Sequence, residues 1–168
     1  ETEEGERDRE GLEAQRTERE GTEREGCGME RDRMLRLGAA EGGGLAEINE
    51  ITGKIVEGAF QVHRGLGPGL LESVYERCLC RELDAAGLPY RRQVDVPVRY
   101  KSELLDAGPR LDLIVAESVI VELKSVESLL PIHTAQLLTY LKLTRTRIGL
   151  LINFNVPLIR QGIRRVIL

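Results

Sequence analysis

The chain has 168 residues, 41% of them hydrophobic, no Trp and a formal net charge of −4. That length allows one domain with a real core of Leu, Ile, Val and Ala and leaves no room for two sizeable ones. Three cysteines, Cys27, Cys78 and Cys80, have no paired C-x-x-C spacing, and no apolar run reaches the roughly 18 residues of a membrane span, so a disulfide framework, a zinc knuckle and a membrane protein are all argued against.

The acidic beginning has no signal-peptide pattern, and the expected setting is reducing and cytoplasmic. Charge divides unevenly: residues 1–44 hold 14 acidic and 8 basic residues, whereas residues 45–168 hold 14 and 16. The second part is thus mildly basic, which permits a polyanionic partner without arguing strongly for one. Residues 1–44 iterate Glu, Arg and Gly, as in EGERDREGLEAQRTEREGTEREG. Apolar residues there are too few to bury anything and recurrent Gly weakens a helix, so a disordered, solvated tail is expected; a binding arm and a misplaced start site are the other readings.

The composition changes at Leu45, where the domain at 45–168 is expected to begin. Ile48, Ile51, Ile55, Ala59 and Val62 recur at helical spacing and predict a first amphipathic helix over 46–64, stopped by GLGPG at 65–69. A second helix is predicted over 70–86, with Leu71, Val74, Tyr75, Cys78, Leu79 and Leu83 as its apolar stripe and Gly87 as its stop. RRQVDVPVRY alternates Val94, Val96 and Val98 against Gln93, Asp95 and Arg99 and reads as a half-buried strand, with Pro97 marking an edge or bulge. KSELLDAGP is a turn region with room for a short strand. RLDLIVA and SVIVELKSV are two apolar strands joined by a tight turn near Glu117 and Ser118. From Pro131 to Leu143 the spacing of Ile132, Ala135, Leu138 and Leu141 predicts a helix, with Pro131 suited to its first turn. RIGLLINFN is a core strand, and GIRRVIL is a candidate for one more. The order helix, strand, strand, strand, helix, strand indicates an α/β sandwich around a mixed sheet.

Charged residues inside the apolar hairpin are the anomaly. Asp112 lies between Leu111 and Leu113, and Glu122 between Val121 and Leu123. Same-facing residues on adjacent antiparallel strands approach to about 5 Å at Cβ, so the two carboxylates can share one site. Glu122 and Lys124, two apart, face the same side. Two acids without a counter-charge repel, and one stays protonated unless a hard divalent cation joins them. Lys124 beside them could orient or deprotonate an attacking water. The same three residues also fit a structural salt bridge. Glu72 and Tyr75, in the pattern G-x-x-E-x-x-Y that opens at Gly69, share one side of the second helix. Glu72 fits either a first-turn charge favoured by the helix dipole or a third acid of the site. Gln136 and Tyr140 stand at i, i+4 on the next helix. His63 reads as a helix-end histidine; His133 lies in the turn leading to Gln136 and is not assigned as a ligand. Arg164 and Arg165 are candidates for phosphate contacts or plain surface charges.

Taken in order, GLGPGLLESVYERCL, RLDLIV, VIVELKSV, HTAQLLTYLKL, GLLINFNV and GIRRV closely resemble the GxxExxY protein family, placed in the PD-(D/E)XK nuclease superfamily and related in motif style to the RecB-like nucleases. The resemblance covers residues 46–168. It implies a restriction-endonuclease-like α-β-β-β-α-β core with a mixed central sheet flanked by helices, and a metal-dependent nuclease that hydrolyses phosphodiester bonds of nucleic acid, DNA ahead of RNA. Carried residue by residue, it makes Asp112 and Glu122 the metal carboxylates, Lys124 the lysine of the E-x-K element, and Glu72 a helical acid that helps hold Mg²⁺ or Mn²⁺. Gln136 and Tyr140 match a Q-x-x-x-Y element that contacts substrate or supports the site. Leu111 stands where the superfamily usually has Pro. The alternative is a catalytically inactive module of the same fold that binds nucleic acid or protein, and a homodimer or partner protein is a candidate source of further substrate grip.

Overall fold

The computed structural model describes residues 44–105 and 108–168. The expectation for the Glu/Arg/Gly tail therefore falls outside the described residues, Gly44 apart, as does part of the KSELLDAGP turn. The isoleucine spacing that specifies the first helix yields α1, Leu45–Leu66, which buries Ile55, Ala59 and Val62. GLGPG ends it because Gly67 and Gly69 take φ of 69° and 97°, a region that side chains with a Cβ rarely adopt. The second helix, α2, runs Glu72–Ala85 and buries Tyr75, Leu79 and Leu83 as expected. It starts two residues later than the pattern suggested, leaving Leu71 as the N-cap and 74% exposed, with Val74 exposed as well. Cys80 and Glu76 are buried in place of those two, and Gly87, with φ of 66°, closes the helix while Leu88 N–H reaches back to the Leu83 carbonyl.

RRQVDVPVRY is not one strand. It divides into β1, Tyr90–Asp95, and β2, Val98–Tyr100, in different sheets, because Pro97 has no N–H to continue a ladder. β2 pairs with β3, Glu103–Leu105, as a separate small hairpin. The hairpin expected to carry the acids forms from β4, Arg110–Val115, and β5, Val119–Lys124. Its turn lies one residue earlier than expected, at Ala116 and Glu117, both at positive φ, and Glu117 is held there by Arg91 at 2.8 Å. The remaining elements are α3, Pro131–Thr144; β6, Ile148–Asn153; the short α4, Ile159–Gly162; and β7, Ile163–Ile167.

The main sheet has the order β1-β4-β5-β6-β7, with β5 and β6 parallel and every other pair antiparallel. It is the mixed sheet that the element order indicated. Alternation along the strands divides its faces. Leu113, Val115, Val119, Val121, Leu123, Ile148, Leu150 and Ile152 form one core with α1 and α2. Asp112, Ile114, Ile120, Glu122, Lys124, Gly149, Leu151 and Asn153 alternate to the opposite face, which α3 covers. No helix among the described residues is long and apolar enough to cross a membrane.

α3 is rotated from the face that its leucines suggested: Leu137, Tyr140, Leu141 and Thr144 are buried, while Ile132 is 65% exposed and Ala135 is exposed. Polar and apolar residues are intermixed around this helix, so its own pattern does not choose a face. Gly149 makes the choice, since a Cβ there would lie 2.8 Å from Leu137 Cδ1. Leu137 is fully buried and cannot retreat. We therefore expect Gly149→Ala to cost about 1–3 kcal/mol in urea unfolding, the usual penalty for overpacking. Leu137→Ala in the same chain should remove most of that added cost, and equal losses in both backgrounds would contradict this packing.

Candidate functional site

One rung beyond the last paired residues of the hairpin, Leu113 and Val121, the ladder opens, and Asp112 and Glu122 stand across from each other. Asp112 Oδ2 accepts the Leu123 N–H at 2.8 Å, so the acid holds the backbone between Glu122 and Lys124. Glu122 is 2% exposed, and its Oε1 takes the Lys124 ammonium at 2.6 Å. Its other oxygen, Oε2, is buried with no partner. A buried charged oxygen without a hydrogen bond is costly, so this atom marks a place where a proton or a cation belongs.

The electrostatics agree. Burial, then the charge of Asp112, pushes the Glu122 carboxyl up to about 7 against the pull of Lys124. Asp112 is raised too, by burial above all, with the Leu123 amide and Lys124 opposing and Glu76 and Glu72 adding to the rise. For Lys124, burial works to lower the value, but the hydrogen bond to Glu122 and the charges of Glu122, Glu72 and Asp112 prevail and raise it. Tyr140, 6% exposed on α3, is raised by burial, countered by its bond from Gln136 and reinforced by the charge of Glu122.

The structure brings the six sequence-derived candidates into one neighbourhood but not into one shell. Asp112, Glu122 and Lys124 interlock. Gln136 and Tyr140 bond to each other, Gln136 Nε2 donating to the phenol at 2.5 Å. Glu72, at the start of α2, reaches the far side of the strand end, where its Oε1 accepts the Ser125 N–H at 3.0 Å. Among the described residues no three Asp, Glu, His or Cys side chains form a ready cage for an ion. A cleft of about 540 Å³ opens at this end, between Gly69 to Ser73 on one wall and Ser125 and Asn155 on the other. A larger hollow of about 650 Å³ lies elsewhere, between Phe60, His63 and Leu158, and contains none of the six.

Tyr75 is not in the site. Its ring stacks on Phe154 at 4.4 Å, and its phenol donates to the Gly67 carbonyl at 2.7 Å and accepts the Leu70 N–H at 3.1 Å. It holds the glycine turn that delivers Glu72. His63 donates from Nε2 to the Val156 carbonyl at 2.8 Å, in keeping with a helix-end histidine, and His133 Nδ1 accepts the Leu130 N–H at 3.2 Å. Arg165 bonds to Asn49 and Arg164 is exposed on β7.

Among the buried polar residues that sequence reasoning missed, two lie beside the site. Glu76, 5% exposed, accepts Arg92 at 2.6 Å and Gln93 at 2.5 Å. Gln93, at φ of 50°, faces the Asp112 position in the β1–β4 register, a break in an otherwise regular ladder. The signal for Glu76 was present, since it falls on the buried side of α2 one residue after Tyr75. The other is Asn153, which ends β6 in register with Lys124 and is 1% exposed.

A protein-family model described as the PD-(D/E)XK nuclease superfamily matches residues 49–166. No curated protein and no solved structure matches the chain.

The raised carboxyl of Glu122 has a consequence for stability. Between its ordinary value of 4.5 and about 7 the folded protein holds a proton that the unfolded chain releases, so stability should fall as pH rises through that window. The loss should be on the order of 3 kcal/mol. Urea unfolding with chelator present should show a lower midpoint at pH 8 than at pH 5, and Glu122→Gln should flatten the difference. A wild-type midpoint that rises over that range would refute the assignment.

Proposed function

The chain belongs to the PD-(D/E)XK nuclease superfamily, and from that premise we propose that it is a metal-dependent nuclease hydrolysing phosphodiester bonds of nucleic acid, with Asp112 and Glu122 as its cation-binding acids. The restriction-endonuclease-like sheet presents both at the open end of the β4–β5 hairpin. The observation that carries the reading is the unpartnered, buried Oε2 of Glu122 opposite a second acid. Hard oxygen ligands of this kind suit Mg²⁺ or Mn²⁺, which are held by one or two carboxylates and complete their shells with water and phosphate oxygens. Such an ion would acidify a water and offset the negative charge that gathers on a phosphate under attack.

The chain's own groups have separable tasks. Asp112 fixes the Leu123 amide, and so the direction in which Glu122 and Lys124 leave the strand. Lys124 carries its charge 2.6 Å from Glu122, where its Nζ is placed to orient a water or meet a phosphate oxygen. Glu72 adds negative field at the rim, which supports it as a third acid toward a cation. Gln136 and Tyr140, tied together on α3, offer a polar edge above the acids for positioning substrate. The cleft between the start of α2 and Ser125 gives room for a nucleotide beside the site. DNA is the first substrate to try. Free Cys78 and Cys80 accord with the reducing cytoplasm proposed as its location.

Two measurements test this. In titration calorimetry Mn²⁺ should bind the wild-type protein and fail to bind Asp112→Ala, and it should raise the melting temperature of the first alone. Cleavage of single- and double-stranded DNA and RNA should require the ion and drop by about a hundredfold or more in Lys124→Ala while the fold persists. Undiminished cleavage in that variant would remove Lys124 from the mechanism. Nucleic-acid binding that needs no ion, with no cleavage by the wild type, would favour the inactive module instead.

A further inference from the structure

The backbone that follows Glu122 is held at successive polar groups. The Leu123 N–H goes to Asp112, the Lys124 carbonyl receives the Phe154 N–H at 2.9 Å, and the Ser125 N–H goes to Glu72. The Ser125 hydroxyl also donates to the Leu70 carbonyl at 2.5 Å. At Val126 both backbone groups are taken by one side chain: Asn153 Oδ1 accepts its N–H at 3.0 Å, and Asn153 Nδ2 donates to its carbonyl at 2.8 Å. Oδ1 accepts the Asn155 N–H as well, at 3.2 Å. The amide thus imitates a further rung of the parallel β5–β6 ladder, just where the two strands end.

We propose that Asn153 is a positioning residue of the site, holding the chain beyond Lys124 so that the Glu122–Lys124 pair is presented in a single geometry. The assignment rests on the cation-site reading above for its purpose, though not for its geometry. Asn153 lies on the sheet face that carries Glu122 and Lys124, is 1% exposed, and uses its amide in three bonds to backbone beside the site. A buried amide that only filled space would be replaceable by an apolar side chain; this one supplies both a donor and an acceptor that no apolar group provides. Its partner lies 27 residues away, so it joins the end of one central strand to the loop leaving the other. Supporting residues of this kind, which touch no ion themselves, typically alter metal affinity by about ten- to a hundredfold when changed.

The test uses the full chain as wild type, Asn153→Ala and Asn153→Asp. The aspartate has the same shape and keeps the acceptor for Val126 N–H, but it turns the Nδ2 donation into a repulsion between two oxygens. Far-UV dichroism and urea unfolding establish that each is folded, with the isosteric variant available if the alanine is not. Hydrogen exchange is then read at residues 123–126, with α1 as the internal reference, and Mn²⁺ affinity by calorimetry. Exchange at Ser125 and Val126 should accelerate by about tenfold or more. Mn²⁺ should bind about tenfold more weakly in both variants, including Asn153→Asp, whose added negative charge would by itself tighten a cation. Faster exchange with unchanged Mn²⁺ affinity overturns the proposal, because Asn153 then serves the loop alone. Should the wild type itself bind no Mn²⁺, the cation reading fails and takes the positioning role with it, an outcome distinct from a wild type that binds and variants that bind equally well.

Discussion

Two carboxylates facing each other across a hairpin, with one ammonium bonded to only one of them, set the terms for everything around them. Asp112 and Glu122 cannot both be ionised comfortably where water is scarce, and Lys124 answers only one oxygen of one of them. A protein selected for stability alone would fill these positions with Ile or Val, as it does at the neighbouring Ile114 and Ile120. The unresolved charge is therefore the strongest physical argument for a bound cation, and it is independent of the family match.

The fold brings this about with few elements. The β4–β5 hairpin supplies both acids because residues directly across an antiparallel pair face the same way. α3 and the parallel strand β6 cover Glu122, and that burial raises its affinity for a proton. The helices α1 and α2 take the other face, where the core is a large aliphatic cluster with Thr52 and the ion-paired Glu76 as its buried polar members. Separating the two faces lets the site carry an unpartnered buried oxygen while a cluster of fully buried aliphatic side chains, each contributing about 1.5–3 kcal/mol, keeps the domain folded.

The G-x-x-E-x-x-Y stretch acquires a division of labour. Gly69 turns the chain at φ of 97°, Tyr75 locks the turn by bonding Gly67 and Leu70 and stacking on Phe154, and Glu72 reaches the Ser125 amide. The tyrosine is a brace rather than a reagent. Phe154 follows Asn153 directly, so the brace and the amide clamp meet on adjacent residues of one strand end. Glu76 extends the same logic one turn along α2, where Arg92 and Gln93 hold it beside the irregular part of β1.

The sequence by itself determined the order of the three long helices and of the main-sheet strands, the hairpin, the break at Gly67 and the pairing of Glu122 with Lys124 on one face, but not the split of RRQVDVPVRY or the short α4. Each depends on periodicity or covalent spacing within about a dozen residues, and such short-range geometry survives any tertiary arrangement. Asp112, Glu122 and Lys124 stood out for the same reason, as charges in otherwise apolar segments, whereas Glu72, Gln136 and Tyr140 were assigned to the site through the family resemblance. What only the tertiary structure decided was non-local. Which side of α3 is buried depends on the missing side chain at Gly149, and which strands the two halves of RRQVDVPVRY join on either side of Pro97 depends on their distant partners, β4 for one and β3 for the other. The orphaned oxygen of Glu122 and the grip of Asn153 on Val126 depend on burial and on partners far apart in the chain. No local pattern announces those, because a polar atom's energy is set by what surrounds it and not by its neighbours in sequence.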